Sequence, residues 1–373
     1  MGEKKLVAVQ LSGGNDYLNC IIPYDNPLYV DNRQHVRVTE DRVLDMGGGL
    51  GMNPVMSGIK ELYDEGKVAI IHGVGYPESS RSHFRSMDIW HTAEPTKLGA
   101  EGWLGSAINQ MYPAKDNVVA AVNFAGLLPR ALAAPKAPIA SVSDLDTYGL
   151  MNHVDNSERD EALLAFKNIY MPAIGSGLVM DYLSQTGLDA LKGSGIIKKA
   201  RENYKSDVEY SDDNFSKQMR AASAIIQAEI GSRILYTQHG TFDSHTNGIA
   251  LQEGVLANVS TGIRDFYSDI KASNKGDDVI MFVFSEFGRR VKDNGTGTDH
   301  GAGGVAFVIG DSVIGGQYGE YPSLEPHKLS IGEDLSFDID FRSLYTEILE
   351  DWLETGAQDI VKGQYEKIGF LRN

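Results

Sequence analysis

The sequence predicts an α/β fold with a mostly parallel central sheet covered by helices on both faces. Three observations carry this. Short, continuous apolar runs recur along the chain, helical periodicity fills the intervals between them, and glycine or polar clusters close each run. Continuous rather than alternating apolar strands mark burial on both faces, as in a parallel sheet. Strands alternating with helices give the fold class.

The strand elements follow in order. Leu6 to Leu11 is apolar apart from Gln10 and ends in Ser12-Gly13-Gly14-Asn15-Asp16. Val68 to His72 is the second run, stopped by Gly73, and Val118 to Val122 is the third. Arg233 to Thr237 is the fourth. Asp278 to Ser285 is the clearest, and Gly304 to Ile309 follows it. The helical segments are Asn53 to Glu65, Phe215 to Ile230, Leu251 to Ser273 and Ser343 to Leu353, each carrying apolar residues near a 3.6-residue period. Between Ala134 and Asp212 the strand rhythm is lost, and the segment reads as a helical insertion or cap within a single domain spanning 1–373.

Composition narrows the function. The chain has 373 residues and a net charge of −17, which disfavours a nucleic-acid partner because a phosphate backbone is repelled. No stretch approaches the roughly 18 apolar residues of a membrane span. One cysteine, Cys20, rules out an internal disulfide and reads as buried and inert. Met1-Gly2-Glu3-Lys4-Lys5 runs straight into the first strand, with no separate apolar targeting segment.

The candidate chemistry lies where strands end. Ligands of open parallel sheets bind outside the carboxyl ends of the strands. The segments there supply Asp16, then Ser79 to His83, then Asp243 and His245, then Glu286 and Arg289, and Asp299-His300 before the next strand. Asp243 and His245, two residues apart, share a face of an extended segment and can converge on one cation. Asp299-His300 repeats the pairing, with Gly301 allowing close backbone approach. Glu286, just past an apolar strand, needs a partner or a metal to be buried, Arg289 or Arg290 being the alternative partners. Ser82 stands where a helix begins, with Ser79 and Ser80 as rivals. Beside a divalent cation such a serine becomes a nucleophile, or it merely caps the helix. Arg81 is suited to clamp phosphate or sulfate oxygens.

These phrases also carry a resemblance. Leu11-Ser12-Gly13-Gly14-Asn15-Asp16, Pro77-Glu78-Ser79-Ser80-Arg81-Ser82-His83-Phe84, Thr241-Phe242-Asp243-Ser244-His245, Phe284-Ser285-Glu286-Phe287-Gly288-Arg289-Arg290 and Thr298-Asp299-His300-Gly301 resemble a bacterial family numbered 1501 among domains of unknown function. Asp340-Phe341-Arg342-Ser343 and Asp351-Trp352-Leu353 extend it toward the end of the chain. That family is similar to the alkaline phosphatase and sulfatase superfamily.

The resemblance implies an alkaline-phosphatase-like domain and a metal-dependent hydrolase of a phosphate or sulfate ester, on a small molecule or a glycan. It implies one or two divalent ions (Zn, Mn, Mg or Ca) held among Asp16, Asp243, His245, Glu286, Asp299 and His300. On that scaffold Ser82, which no motif fixes, is taken as the nucleophile, Arg81 and His83 as catalytic partners, with His83 a proton donor or a ligand, and Arg289 and Asn15 as substrate contacts. It also implies export to the periplasm or beyond. Glu286-Phe287 departs from the superfamily's Asp-His pair. That leaves room for a non-catalytic, metal-stabilised binding protein on the same scaffold, or a single-metal mutase or lyase.

Overall fold

A computed structural model describes residues 2–114, 117–135, 137, 139–142, 145, 155–171, 177–330 and 333–372. Fourteen strands follow in chain order: β1 (Lys5–Leu11), β2 (Ile21–Ile22), β3 (Leu44–Gly47), β4 (Leu50–Met52), β5 (Val68–Gly75), β6 (Ala121–Asn123), β7 (Ile139–Ser141), β8 (Ile234–His239), β9 (Val279–Ser285), β10 (Arg289–Asp293), β11 (Thr298–His300), β12 (Gly304–Ile309), β13 (Gly316–Tyr318) and β14 (Ile339–Asp340). Nine of them form the central sheet, in the order β13-β5-β12-β9-β1-β8-β6-β7, with β14 also pairing β5. All run parallel except β12, which is antiparallel to both neighbours, β5 and β9. β10 and β11 make a separate hairpin, and β2, β3 and β4 a small antiparallel sheet.

Both faces of the central sheet are buried, as its continuous apolar strands require. Along β1 the side chains alternate: Val7, Val9 and Leu11 enter one core, Leu6 and Ala8 the other. The first core takes Ile59 and Leu62 from the Ser57–Asp64 helix, Met219 and Ile225 from Asn214–Gln227, and Leu256, Ile263 and Phe266 from Gly248–Ala272. The second takes Ile89 and Trp90 from His83–Thr92, Trp103 and Leu104 from Trp103–Met111, and Leu344 and Tyr345 from Phe341–Glu347. Cys20 is fully buried, and burial pushes its thiol up to about 12.

The third expected strand is displaced. Ala121–Asn123 is extended, but Val118 to Ala120 turn, because Asn117 Oδ1 accepts from the Val119 amide. Ser343 to Leu353 is helical only through Glu347, after which Ile348–Trp352 widens into a π turn. Within 134–212 the described residues form β7 and the helices Asn156–Tyr170 and Leu178–Asn203. Part of that expected insertion lies outside the described residues.

Candidate metal centre

The carboxyl edge of the sheet gathers residues from four loops. After β5 the chain reaches Ser82, which caps the His83–Thr92 helix by accepting from the Arg85 amide at 3.5 Å. After β8 comes Thr241-Phe242-Asp243-Ser244-His245, and after β9 comes Glu286. The β10–β11 hairpin delivers Asp299 and His300.

Three histidines meet there. His83 Nε2 lies 2.9 Å from His300 Nε2, and His245 Nε2 lies 2.9 Å from the same atom. Asp243 Oδ1 is 3.0 Å from His245 Nε2 and 3.3 Å from His300 Nε2, and its Oδ2 is 3.5 Å from His83 Nε2. His83, Asp243 and His300 offer ligand atoms that all lie within 4.8 Å of one another.

The other ring nitrogens determine what these atoms are. His83 Nδ1 sits 2.7 Å from Glu286 Oε1, His245 Nδ1 3.1 Å from Asp299 Oδ1, and His300 Nδ1 2.8 Å from the Arg81 carbonyl. A carbonyl or carboxylate oxygen only accepts, so Nδ1 of His83 and of His300 carries the proton and donates it, while His245 has a carboxylate oxygen at each ring nitrogen, 3.1 Å from Nδ1 and 3.0 Å from Nε2. In the neutral rings the Nε2 atoms of His83 and His300 are then bare lone pairs. Bare nitrogens 2.9 Å apart repel unless a proton or a cation lies between them. This is the arrangement of metal-ligating histidines oriented by outer oxygen acceptors.

The charges are set by the neighbours. The hydrogen bond that His83 donates to Glu286 raises its imidazole above its ordinary value despite partial burial, whereas burial lowers His300. Burial alone would raise the Asp243 carboxyl, but the hydrogen bond and charge of Arg289, with His245 and His300, bring it below its ordinary value. Asn294, and then His245 against some burial, lower Asp299.

Several expected residues take other places. Asp16 is buried in a bidentate pair with Arg33, at 2.7 and 2.9 Å, so both of its oxygens are engaged. Glu286 faces neither Arg289 nor Arg290. It accepts from the Gly13 amide, the Ser285 hydroxyl and His83. Arg289 is fully buried and donates to Gly13, Gly14, Phe242 and Thr298 carbonyls and to Asp243, so it braces the loops from beneath instead of facing a substrate. Asn15 is likewise buried, its Oδ1 accepting from Gln252. Arg81 pairs with Asp334 at 2.7 Å. Ser79 donates to the Tyr76 carbonyl and Ser80 Oγ accepts from the Ser82 amide, which leaves Ser82 as the exposed hydroxyl next to His83.

Sequence reasoning did not single out Arg33, which no motif marks. Gly13 carried a legible signal, the Gly13-Gly14 doublet. Both have positive φ, and a Cβ on Gly13 would stand 2.4 Å from the Asp243 amide nitrogen.

The fold and the site together define an α/β protein with a carboxylate-backed, three-histidine centre at the carboxyl edge of its sheet. The chain belongs to the family described as "Protein of unknown function (DUF1501)", whose pattern matches residues 70–359. No curated protein matches it. Among solved structures, a putative sulfatase from Bacteroides thetaiotaomicron VPI-5482 is similar at 9% identity and a TM-score of 0.44, over 98% of this chain and 76% of that one. The C-terminal periplasmic domain of EcEptC from Escherichia coli, in complex with Zn, is similar at 9% identity and a TM-score of 0.41, over 98% and 84%. A protein in the alkaline phosphatase superfamily from Vibrio parahaemolyticus is similar at 9% identity and a TM-score of 0.38, over 86% and 63%. At this distance the likeness carries no argument about activity. Among the described residues, no helix is long and apolar enough to cross a membrane.

Proposed function

We propose that the chain is a metal-dependent hydrolase of a phosphate or sulfate ester, with one divalent cation held by His83, Asp243 and His300 and approached by His245. The observation that carries this is the convergence of three Nε2 atoms on one another and on the Asp243 carboxylate, two nitrogen pairs lying at 2.9 Å, while each Nδ1 faces an oxygen. The donors fit the group: imidazole nitrogens with one carboxylate suit zinc and its neighbours better than calcium or magnesium. Glu286 and Asp299 are then orienting residues, and Asp16 belongs to the fold. When bound, the cation would polarise an ester oxygen as a Lewis acid.

The protein's own residues supply the rest. Ser82 Oγ is the proposed nucleophile, at the start of a helix whose first amides favour an anion. Its oxygen attacks phosphorus or sulfur, the serine proton passes to water, and the bond to the leaving alcohol breaks. With His83 committed through both ring nitrogens, the leaving oxygen takes its proton from water. A second water then cleaves the seryl ester and frees phosphate or sulfate.

The test is reconstitution. Metal-free protein is loaded with Zn, Mn, Mg or Ca and assayed on aryl phosphates and aryl sulfates. Ser82→Ala should abolish turnover while retaining the metal, and Asp243→Ala/His300→Ala should lose both. Equal metal uptake by wild type and the double variant refutes the centre.

One observation favours a second reading. His245 stands close enough to His300 and Asp243 to complete a four-ligand shell, and closed shells are structural whereas catalytic ones keep a position open. In that case metal removal lowers stability, and no ester turns over with any cation.

A further inference from the structure

A cavity of about 470 Å³ opens beside the metal centre, with His83, Asp243 and Glu286 at one end. Ser12 and Gly13, just past β1, line it as well. One wall is a single stripe of the His83–Thr92 helix, Phe84, Met87, Asp88 and His91, at the i, i+3, i+4, i+7 spacing of one helical face. Gly240 and Thr241 face it from the loop after β8.

The polar groups of this cavity are mostly engaged. Arg130 pairs with Asp88 at 2.6 Å and donates to the Gly99 carbonyl. Asp88 holds Arg85 as well, at 2.7 Å. His91 turns Nε2 to Gln10 and Tyr236, and Ser12 Oγ accepts from the Gln10 and Gln238 amides. The lining cation is thus held in an ion-pair network, in which Asp88 is shared by Arg85 and Arg130, and is not presented alone to a ligand. The stripe instead ends in an apolar ring left in solvent: Phe84 is 92% exposed, one residue after the ligand His83. A large exposed apolar side chain at the mouth of a cavity marks a contact surface.

We infer that the Phe84–Met87 wall receives an uncharged, apolar leaving group, so that the ester cleaved at this centre is that of an aryl or similarly apolar alcohol and not of a bare sugar. This rests on the hydrolase reading for the ester, but the apolar subsite itself does not need turnover. Continuity with the centre fixes the orientation: a phosphoryl or sulfuryl group at His83 and Asp243 directs its alcohol along the helix stripe.

The probe is 2-naphthol, the leaving alcohol alone, titrated into the intact protein by fluorescence and saturation-transfer NMR. Wild type should bind it, and Phe84→Ala and Met87→Ser should each weaken binding about fivefold to tenfold. Phe84 faces solvent whereas Met87 also packs on the second core, so an unchanged unfolding midpoint for Phe84→Ala, the cleaner variant, separates lost contact from lost fold. In kinetics, naphthyl esters should exceed glucose 6-phosphate and glucose 6-sulfate at least tenfold in kcat/KM, and Phe84→Ala should raise KM for the naphthyl ester with kcat held. No naphthol binding at millimolar concentration, or binding indifferent to Phe84→Ala, overturns the inference even if esters are hydrolysed. Naphthol binding sensitive to Phe84 with no ester hydrolysed under any cation keeps the apolar subsite and overturns the hydrolase.

Discussion

Replacing Arg33 with Met tests the separation between the fold and the proposed metal centre. The Arg33 and Asp16 side chains are 0% and 3% exposed, so neither reaches water. Arg33 gives Asp16 two hydrogen bonds and gives one each to the Val291 and Arg290 carbonyls. Its removal leaves the carboxylate with only the Asn19 amide, at 3.1 Å, and takes a donor from both carbonyls. Stranding one member of a buried pair costs about 3–5 kcal/mol. The two carbonyls are part of the same network, so the total is set at about 4 kcal/mol rather than the sum of the separate losses. With a urea slope of about 3 kcal/mol/M, the midpoint falls by roughly 1.3 M, read by circular dichroism and tryptophan fluorescence. The double variant Asp16→Leu/Arg33→Met replaces the pair by apolar groups and should recover most of the loss. Asp16→Asn should keep its metal stoichiometry. A loss below about 1 kcal/mol for Arg33→Met, or a double variant no better than the single, refutes the energetics. Metal lost in Asp16→Asn would return Asp16 to the ligands.

Other outcomes follow from the same geometry. Glu286→Gln and Asp299→Asn weaken the charge acceptors behind His83 and His245, and each should reduce metal affinity about tenfold in competition with a chromophoric chelator. Affinities within twofold of wild type would show that these carboxylates do not orient the rings. His91 is protonated near 6.5 in the unfolded chain but only at about 3 in the fold, where burial and Arg130 oppose its charge. Below 6.5 the unfolded chain therefore takes up a proton that the fold refuses, and stability drops as pH falls toward 3. Between pH 7 and pH 5 this amounts to about 2 kcal/mol, which His91→Gln should remove from the pH dependence of urea unfolding. Gly301→Ala would put a methyl 2.6 Å from the Arg289 carbonyl carbon, force the β10–β11 hairpin apart and cost about 2 kcal/mol. Its midpoint and metal content should fall together, and an unchanged value of either would show that the hairpin yields at this point.

The elements were legible where burial alone decides them. β5, β9 and β12 are continuous apolar runs, and the Gly248–Ala272 helix keeps its period over its whole length. β6 was less so, because the turn at Asn117 consumes residues as apolar as the strand itself. The residue types of the site were also visible, since carboxylates and imidazoles at strand ends are costly without a purpose. Their division of labour was not. Glu286 and Asp243 look alike in sequence, and only the direction of each histidine ring separates an oxygen behind Nδ1 from one beside Nε2. The Asp16–Arg33 pair was hidden for a different reason: its partners are 17 residues apart, and Arg33 stands in a polar segment, Asp31-Asn32-Arg33-Gln34-His35, that reads as surface.

The reversed strand β12 bears on the timing of assembly. Because it alone runs against the sheet, its first residue lies at the edge where the other strands end, and His300 arrives from before a strand while His83 and Asp243 arrive after theirs. β12 must therefore dock between β5 and β9, joining segments more than 200 residues apart, before the three rings can meet. Such distant pairings form slowly. In a refolding experiment, cation uptake would accordingly be among the last signals to appear, a clock for completion of the sheet rather than a seed for it.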